Sequence, residues 1–222
     1  MKDNLGLLFG ATFLIWLTNL VVRLIPLIGG IVHLLLTGVL FGGLYLIFLK
    51  RIRGQSATVG EVFAGFSLNF AQLMLVGLVS GMLTGIGFML CLLPGIYLLI
   101  AWSFSVPLVA DKRLEFWSAM ELSRKVVTRV WFQVLALAFV AFLPTVLCSI
   151  YATAKTCLMV VSTVSGSPTG GFDLTRMMEL VKVGVSMTLL IQIVSLLNLP
   201  FALGAVMYAY EDIFGARATP PA

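Results

Sequence analysis

Between residues 67 and 110 the chain runs for more than forty positions without one Asp, Glu, Lys, Arg or His. A helix that crosses the hydrocarbon core of a bilayer takes about 20 apolar residues. The run therefore has room for two crossings. Near its middle stands Leu92-Leu93-Pro94-Gly95. Proline has no N–H with which to continue a helical ladder, and glycine accepts the backbone angles of a tight reversal. The run predicts a transmembrane hairpin that turns at Pro94-Gly95. Its first arm carries Gly77, Gly81 and Gly85. Spacing of four puts them on one helix face, where a second backbone can approach closely.

The rest of the chain has the same character. Hydrophobic residues make up 60% and charged residues 10%, with a mean hydropathy of +1.10. A soluble domain has about 25% charged residues, so a water-soluble fold is excluded. At 222 residues the chain accommodates one bundle and no separate soluble domain. The net charge of +5 is first a topology signal and then an attraction for anionic phospholipid. Nucleic acid is a poor partner, because the basic residues sit in short loops between apolar segments. Cys91, Cys148 and Cys157 form no CxxC or Cys/His ligand pattern, so neither a metal nor another cofactor is expected.

Read in order, the apolar segments predict an all-α polytopic bundle of six transmembrane helices. They cover about 5–22, 27–49, 68–92, 95–110, 131–152 and 183–209, in a single membrane domain. Gly38 and Gly42 repeat the close-packing spacing on the second helix. Between the second and third lies the basic loop Lys50-Arg51-Ile52-Arg53-Gly54-Gln55. It is followed by Thr58-Val59-Gly60-Glu61, which fits a capping box and predicts a short interfacial helix over 59–66. The fourth helix is expected to bend at Pro107.

Residues 114–130 differ from the spans. At 100° per residue, Phe116, Ala119, Met120, Val127 and Val130 share one face, and Ser118, Glu121, Lys125 and Arg129 the other. This predicts a cytoplasmic amphipathic helix with Trp117 and Trp131 at headgroup level. The fifth segment reaches residue 164, with Pro144 inside. The sixth starts from a cap at Asp173, reaches residue 210 and contains Pro200. Both exceed a core of about 30 Å at 1.5 Å per residue, so both are expected to protrude or bend on the same side. With six crossings and a cytoplasmic N-terminus, the inside cations are Lys2, Lys50, Arg51, Arg53, Lys112, Arg113, Arg124, Lys125, Arg129 and Arg217. Only Arg23, Lys155, Arg176 and Lys182 lie outside. The bias favours both termini in the cytoplasm of a bacterial inner-membrane protein.

Three motifs carry a family likeness. Leu93-Pro94-Gly95-Ile96-Tyr97, Val106-Pro107-Leu108-Val109-Ala110-Asp111 and Ala119-Met120-Glu121-Leu122-Ser123-Arg124 resemble a pattern in the glycerophosphoryl diester phosphodiesterase membrane-domain family and related bacterial integral membrane proteins. Arg53-Gly54 and Tyr208-Ala209-Tyr210-Glu211-Asp212 look like that group too. The resemblance spans most of the chain and implies a helical membrane domain. The family name implies an attached phosphodiesterase domain in some members, and that activity is not carried over here.

Catalytic chemistry has little to stand on in the sequence. The single histidine, His33, has no HExxH or second histidine, and a packed, hydrogen-bonded histidine is the simpler reading. No GxSxG is present, and no pair of intramembrane aspartates. No catalytic residue is therefore named. Amides within spans (Asn19, Asn69, Gln72, Gln133, Gln192, Asn198) read more simply as interhelical glue than as a solute path. The exception is Asn198 beside Pro200, where a freed carbonyl and the amide, with Ser103, Ser105 and Gln192, define a candidate polar cavity. At the cytoplasmic face, Glu211 and Asp212 stand at a helix C-terminus, where negative charge is unfavourable. They predict a charge cluster with Arg51 or Arg53. The leading expectation is a non-enzymatic scaffold or accessory subunit packing against lipid or another membrane protein. The alternative is a small transporter or channel for a lipid-like or small polar solute.

Overall fold

A computed structural model describes residues 5–23, 28–165 and 174–215. All secondary structure among the described residues is helical. Helix α1 is Leu5–Arg23 and α2 is Ile28–Ile52. After a 3-10 turn at Val59–Phe63 come α3 (Ala64–Leu68), α4 (Phe70–Leu90), α5 (Leu92–Ala101), α6 (Ser105–Lys112) and α7 (Phe116–Val127). A second 3-10 turn, Thr128–Val130, leads into α8 (Trp131–Ser165), and α9 (Leu174–Phe214) ends the described chain. Five stretches are long and apolar enough to cross a membrane: Leu35–Ile52, Phe70–Leu90, Leu92–Lys112, Phe116–Thr163 and Met177–Phe214. Gly6–Thr18 is a shorter apolar helix.

The contacts divide the chain into two compact units. The first holds Met1–Ala138 with Leu203–Ala222 and is built around α2, which packs against α1, the 59–68 segment, α4 and α6. Val39, Leu44, Ile47, Leu73, Val76, Leu108 and Met207 are fully enclosed there. Glycine makes this possible where α2 meets α4. A Cβ added at Gly38 would lie 2.1 Å from the Leu73 carbonyl oxygen and 3.0 Å from Gly77 Cα, and one added at Gly42 would strike the Leu73 side chain at 2.8 Å. The backbones therefore touch directly, a geometry open only to residues without side chains. The expected Gly77, Gly81, Gly85 face is used only at its first member. Gly81 and Gly85 are exposed, and a Cβ at Gly85 meets nothing within 4 Å.

The reversal of the hairpin is displaced from its expected place. It falls at Cys91, whose backbone is extended (φ −168°, ψ 154°), while Pro94 and Gly95 lie inside the first turn of α5. Proline is tolerated there because the first N–H groups of a helix have no intrahelical acceptor. Gly95 has a packing role instead: an added Cβ would sit 2.4 Å from the Phe88 ring, and one at Gly87 would lie 3.2 Å from Gly95 Cα. The expected bend at Pro107 is likewise displaced. The fourth segment breaks at Trp102–Phe104, between α5 and α6, and Pro107 occupies the first turn of α6 for the same reason. The expected 59–66 helix is a 3-10 turn followed by α3. It is held against α2, since Cβ atoms at Gly43 and Gly65 would collide with the carbonyl oxygens of Val62 and Val39.

The second unit, Phe139–Ala202, is made of the later part of α8 and the earlier part of α9. Asn198 Nδ2 on α9 donates to Ala141 O at 3.0 Å and Thr145 Oγ1 at 3.1 Å on α8. These contacts sit beside Pro144 and Pro200, both inside their helices. Val140, Leu158 and Val181 are each at least 60% exposed. A helix apolar all round needs an apolar solvent. The 35 residues of α8 and 41 of α9 correspond to about 52 and 61 Å at 1.5 Å per residue. The expected cap at Asp173 and the loop 166–171 lie outside the described residues, as do the side chains of Asn19 and His33.

Candidate functional site

The site begins with the way α2 stops. Gly54 takes φ +75°, a left-handed angle that glycine adopts without strain. Gln55 N–H then donates to Lys50 O at 2.8 Å, and Gly54 N–H to Arg51 O at 3.2 Å. This is the paired bonding of a Schellman ending, which satisfies the last carbonyls of a helix. The stop sends each cation of the basic loop to a different partner. Lys50 Nζ donates to Glu61 Oε2 at 2.6 Å, and Glu61 Oε1 accepts from Thr58 N–H at 3.3 Å, the reach-back half of the expected capping box. The hydrogen bond from Lys50 holds the Glu61 carboxyl below its ordinary range. Arg51 Nη2 donates to Ala57 O at 2.9 Å.

Arg53 gathers the ends of three helices. Its guanidinium donates to both oxygens of Asp111, Nη1 to Oδ1 at 2.6 Å and Nη2 to Oδ2 at 2.8 Å. It also donates to Glu211 Oε2, from Nε at 3.0 Å and Nη2 at 2.8 Å. Tyr210, fully buried, donates its hydroxyl to Asp111 Oδ2 at 3.0 Å and stacks on Phe214 at 5.4 Å. Asp111 stands next to the last residue of α6, Glu211 in the last turn of α9, and Arg53 just past α2. Three helix C-termini and two carboxylates concentrate negative charge at this spot, and one cation offsets it. The planar fork suits two carboxylates in a way an ammonium does not. Side chains remain 32% (Arg53), 12% (Asp111) and 15% (Glu211) exposed. Bonding to Asp111, then to Glu211, raises the already high pKa of Arg53, so the fork stays charged.

The charge cluster expected as Arg51, Arg53, Glu211 and Asp212 thus comes together only at Arg53 and Glu211. Arg51 turns to the 56–58 loop instead. Asp212 is exposed and borders a groove of about 350 Å³ with Gln133 and Leu137. Asp111 and Tyr210 are members that charge spacing did not point to, although both lie in the motifs that carry the family likeness. The residues of the candidate polar cavity divide between the two units. Ser103 and Ser105 belong to the first unit; Gln192 and Asn198 belong to the second. Ser105 Oγ donates to Trp102 O within the helix break, and Ser103 Oγ is buried without a partner. Asn198 serves as glue between α8 and α9. Gln72, another of the span amides, accepts the N–H of Phe116 at 2.8 Å and so positions the start of α7.

No group of three or more His, Cys, Asp or Glu side chains is placed to hold a metal ion among the described residues. The three cysteines are free thiols. No protein-family model matches the chain, and neither a curated protein nor a solved structure matches it.

Proposed function

We propose that this chain is a multi-pass membrane protein of the bacterial inner membrane that acts without catalysis, as a scaffold or accessory subunit packed against lipid or another membrane protein. The observation that carries the reading is the interior of the first unit. Among the described residues Ser103 Oγ is the buried hydroxyl without a partner; Tyr210 donates to Asp111, and Thr12, Ser105 and Ser123 are fully buried. Each of the last three already donates its hydroxyl to a backbone carbonyl: Leu8, Trp102 and Ala101 respectively. A solute path or a reacting group needs polar atoms that are free to act. Here the centre is closed by the Gly38–Gly77 contact and by Leu73 and Val76. The likeness of 93–97, 106–111 and 119–124 to the glycerophosphoryl diester phosphodiesterase membrane-domain family supports the same kind of protein.

Topology belongs to this proposal. The five apolar stretches together with Gly6–Thr18 supply six crossings. Arg53, Asp111 and Glu211 then lie on one membrane face, and the loop cations make that face cytoplasmic. The test is photo-crosslinking in native membranes from Phe139, Leu189 and Ile193, all exposed. The reading expects one protein adduct in constant proportion, lost when the partner is deleted. Adducts with lipid alone, together with solute flux in proteoliposomes, would turn the assignment to transport.

A further inference from the structure

The break between α5 and α6 leaves a groove of about 170 Å³ lined by Trp102, Trp117, Met120, Glu121 and Arg124. Its geometry is fixed from below. Ser123 is fully buried and donates to Ala101 O at 2.8 Å. This carbonyl lies at the end of α5, where the break leaves acceptors without helical donors. The bond holds α7 against the break. Met120, 2% exposed, lies beside it and closes the floor. Above this floor α7 presents Glu121, Arg124 and the Trp117 indole, and the break contributes the Trp102 indole.

We propose that this groove holds the headgroup of an amine-bearing zwitterionic phospholipid, with Arg124 on the phosphate and Glu121 and the two indoles around the ammonium. The inference rests on the membrane reading above and adds a ligand class and a site. Three properties of the groove match that ligand. Its lining carries one cation and one anion, the charges of a zwitterion in complement. Arg124 makes no salt bridge or hydrogen bond through its guanidinium among the described residues, although its charge acts on Glu121, and a guanidinium meets phosphate oxygens in a planar fork. Indole faces attract an ammonium more strongly than other aromatic rings do. Glu121 already pairs with Lys125 at 2.8 Å, but these side chains are 45% and 63% exposed. A ligand ammonium can displace so open a partner or share the carboxylate with it. Lys125 does not line the groove.

The test uses the full chain in detergent, stripped of lipid and titrated with short-chain phosphatidylethanolamine, with phosphatidylglycerol of the same chains, and with inorganic phosphate. Bound lipid is read by native mass spectrometry. The wild type should prefer the ethanolamine lipid by about tenfold, the difference made by its ammonium. Arg124→Gln should weaken both lipids by about tenfold. Glu121→Gln and Trp117→Ala should each erase the preference and spare phosphatidylglycerol, while Lys125→Gln should preserve it. Glu121, Arg124 and Trp117 are exposed, so their variants should melt like the wild type. If one does not, the other two carry the result. Equal or tighter binding of phosphatidylglycerol to the wild type would make the groove a plain anionic-lipid surface and overturn the proposal. Displacement of lipid by inorganic phosphate alone would do the same, as would an Arg124→Gln protein that binds unchanged. None of these outcomes touches the scaffold reading, which stands or falls on the crosslinked partner.

Discussion

Arg53 is the residue on which the meeting of α2, α6 and α9 depends. It serves Asp111 and Glu211 at once, and its exposure of 32% leaves part of the interaction screened by water. Arg53→Gln should therefore cost about 1–3 kcal/mol, between an exposed pair and a buried one. Arg51→Gln, which removes one bond to a loop carbonyl, should cost about 1 kcal/mol or less. Melting in detergent of Arg53→Asp, Asp111→Arg and the double swap measures the coupling, and partial recovery in the double swap is expected. Losses that simply add would show that the fork contributes nothing beyond its separate ends. A second expectation concerns Glu61. Its carboxyl is depressed by Lys50, so the tie is fully present above the ordinary carboxylate pKa. It is lost as pH falls through the lower folded value. Nuclear magnetic resonance titration of Glu61 should show a midpoint below 4.5, moving upward in Lys50→Gln. The acids at 211 and 212 could be read as needing a cation because a helix C-terminus disfavours them. The choice of Arg53 over Arg51 could not, because it depends on the Gly54 stop, which turns adjacent side chains in different directions.

At the scale of elements, the apolar segments were legible and their breaks were not. Length and hydropathy place α2, α4, α8 and α9 within a few residues. Proline was a poor guide to the ends. Pro94 and Pro107 both sit in a first helical turn, where a missing N–H costs nothing, so the reversal lies upstream at Cys91 and the break at 102–104. Glycine spacing was a better guide to where helices touch than to how far they touch. The α2–α4 crossing uses Gly38, Gly42 and Gly77 and then leaves Gly81 and Gly85 outside. The crossing makes a sharp contrast testable. Gly38→Ala forces a Cβ to 2.1 Å from a backbone oxygen, and the helices must separate, costing about 1–3 kcal/mol or more. Gly85→Ala meets nothing and should be neutral or stabilising by up to about 1 kcal/mol, because alanine loses less entropy in a helix. Thermal melts of the two variants decide it. Equal losses at both positions would mean that the crossing is not where the fold is held.

At the scale of the whole molecule, composition argues against a water-soluble fold, and the described helices expose many large apolar side chains, which is compatible with membrane insertion. Sequence supplied two of the three helix ends that meet, through the expected pairing of Glu211 with Arg51 or Arg53; it did not supply the third, Asp111, whose charge comes at the end of a long apolar run. This meeting is the centre of the account: Arg53 ties the ends of α2, α6 and α9 together, and the proposed topology puts them on one membrane face and the Cys91 reversal on the other. Cys91 is exposed, and Gln55 is exposed just beyond α2. Two proteins suffice, one retaining Cys91 as its only cysteine and one cysteine-free except for Gln55→Cys, each treated with a membrane-impermeant maleimide. Cys91 should label when reagent is supplied from the periplasmic side, and the Gln55→Cys protein only once the cytoplasmic side is opened. Labelling of both from the same side would contradict the account.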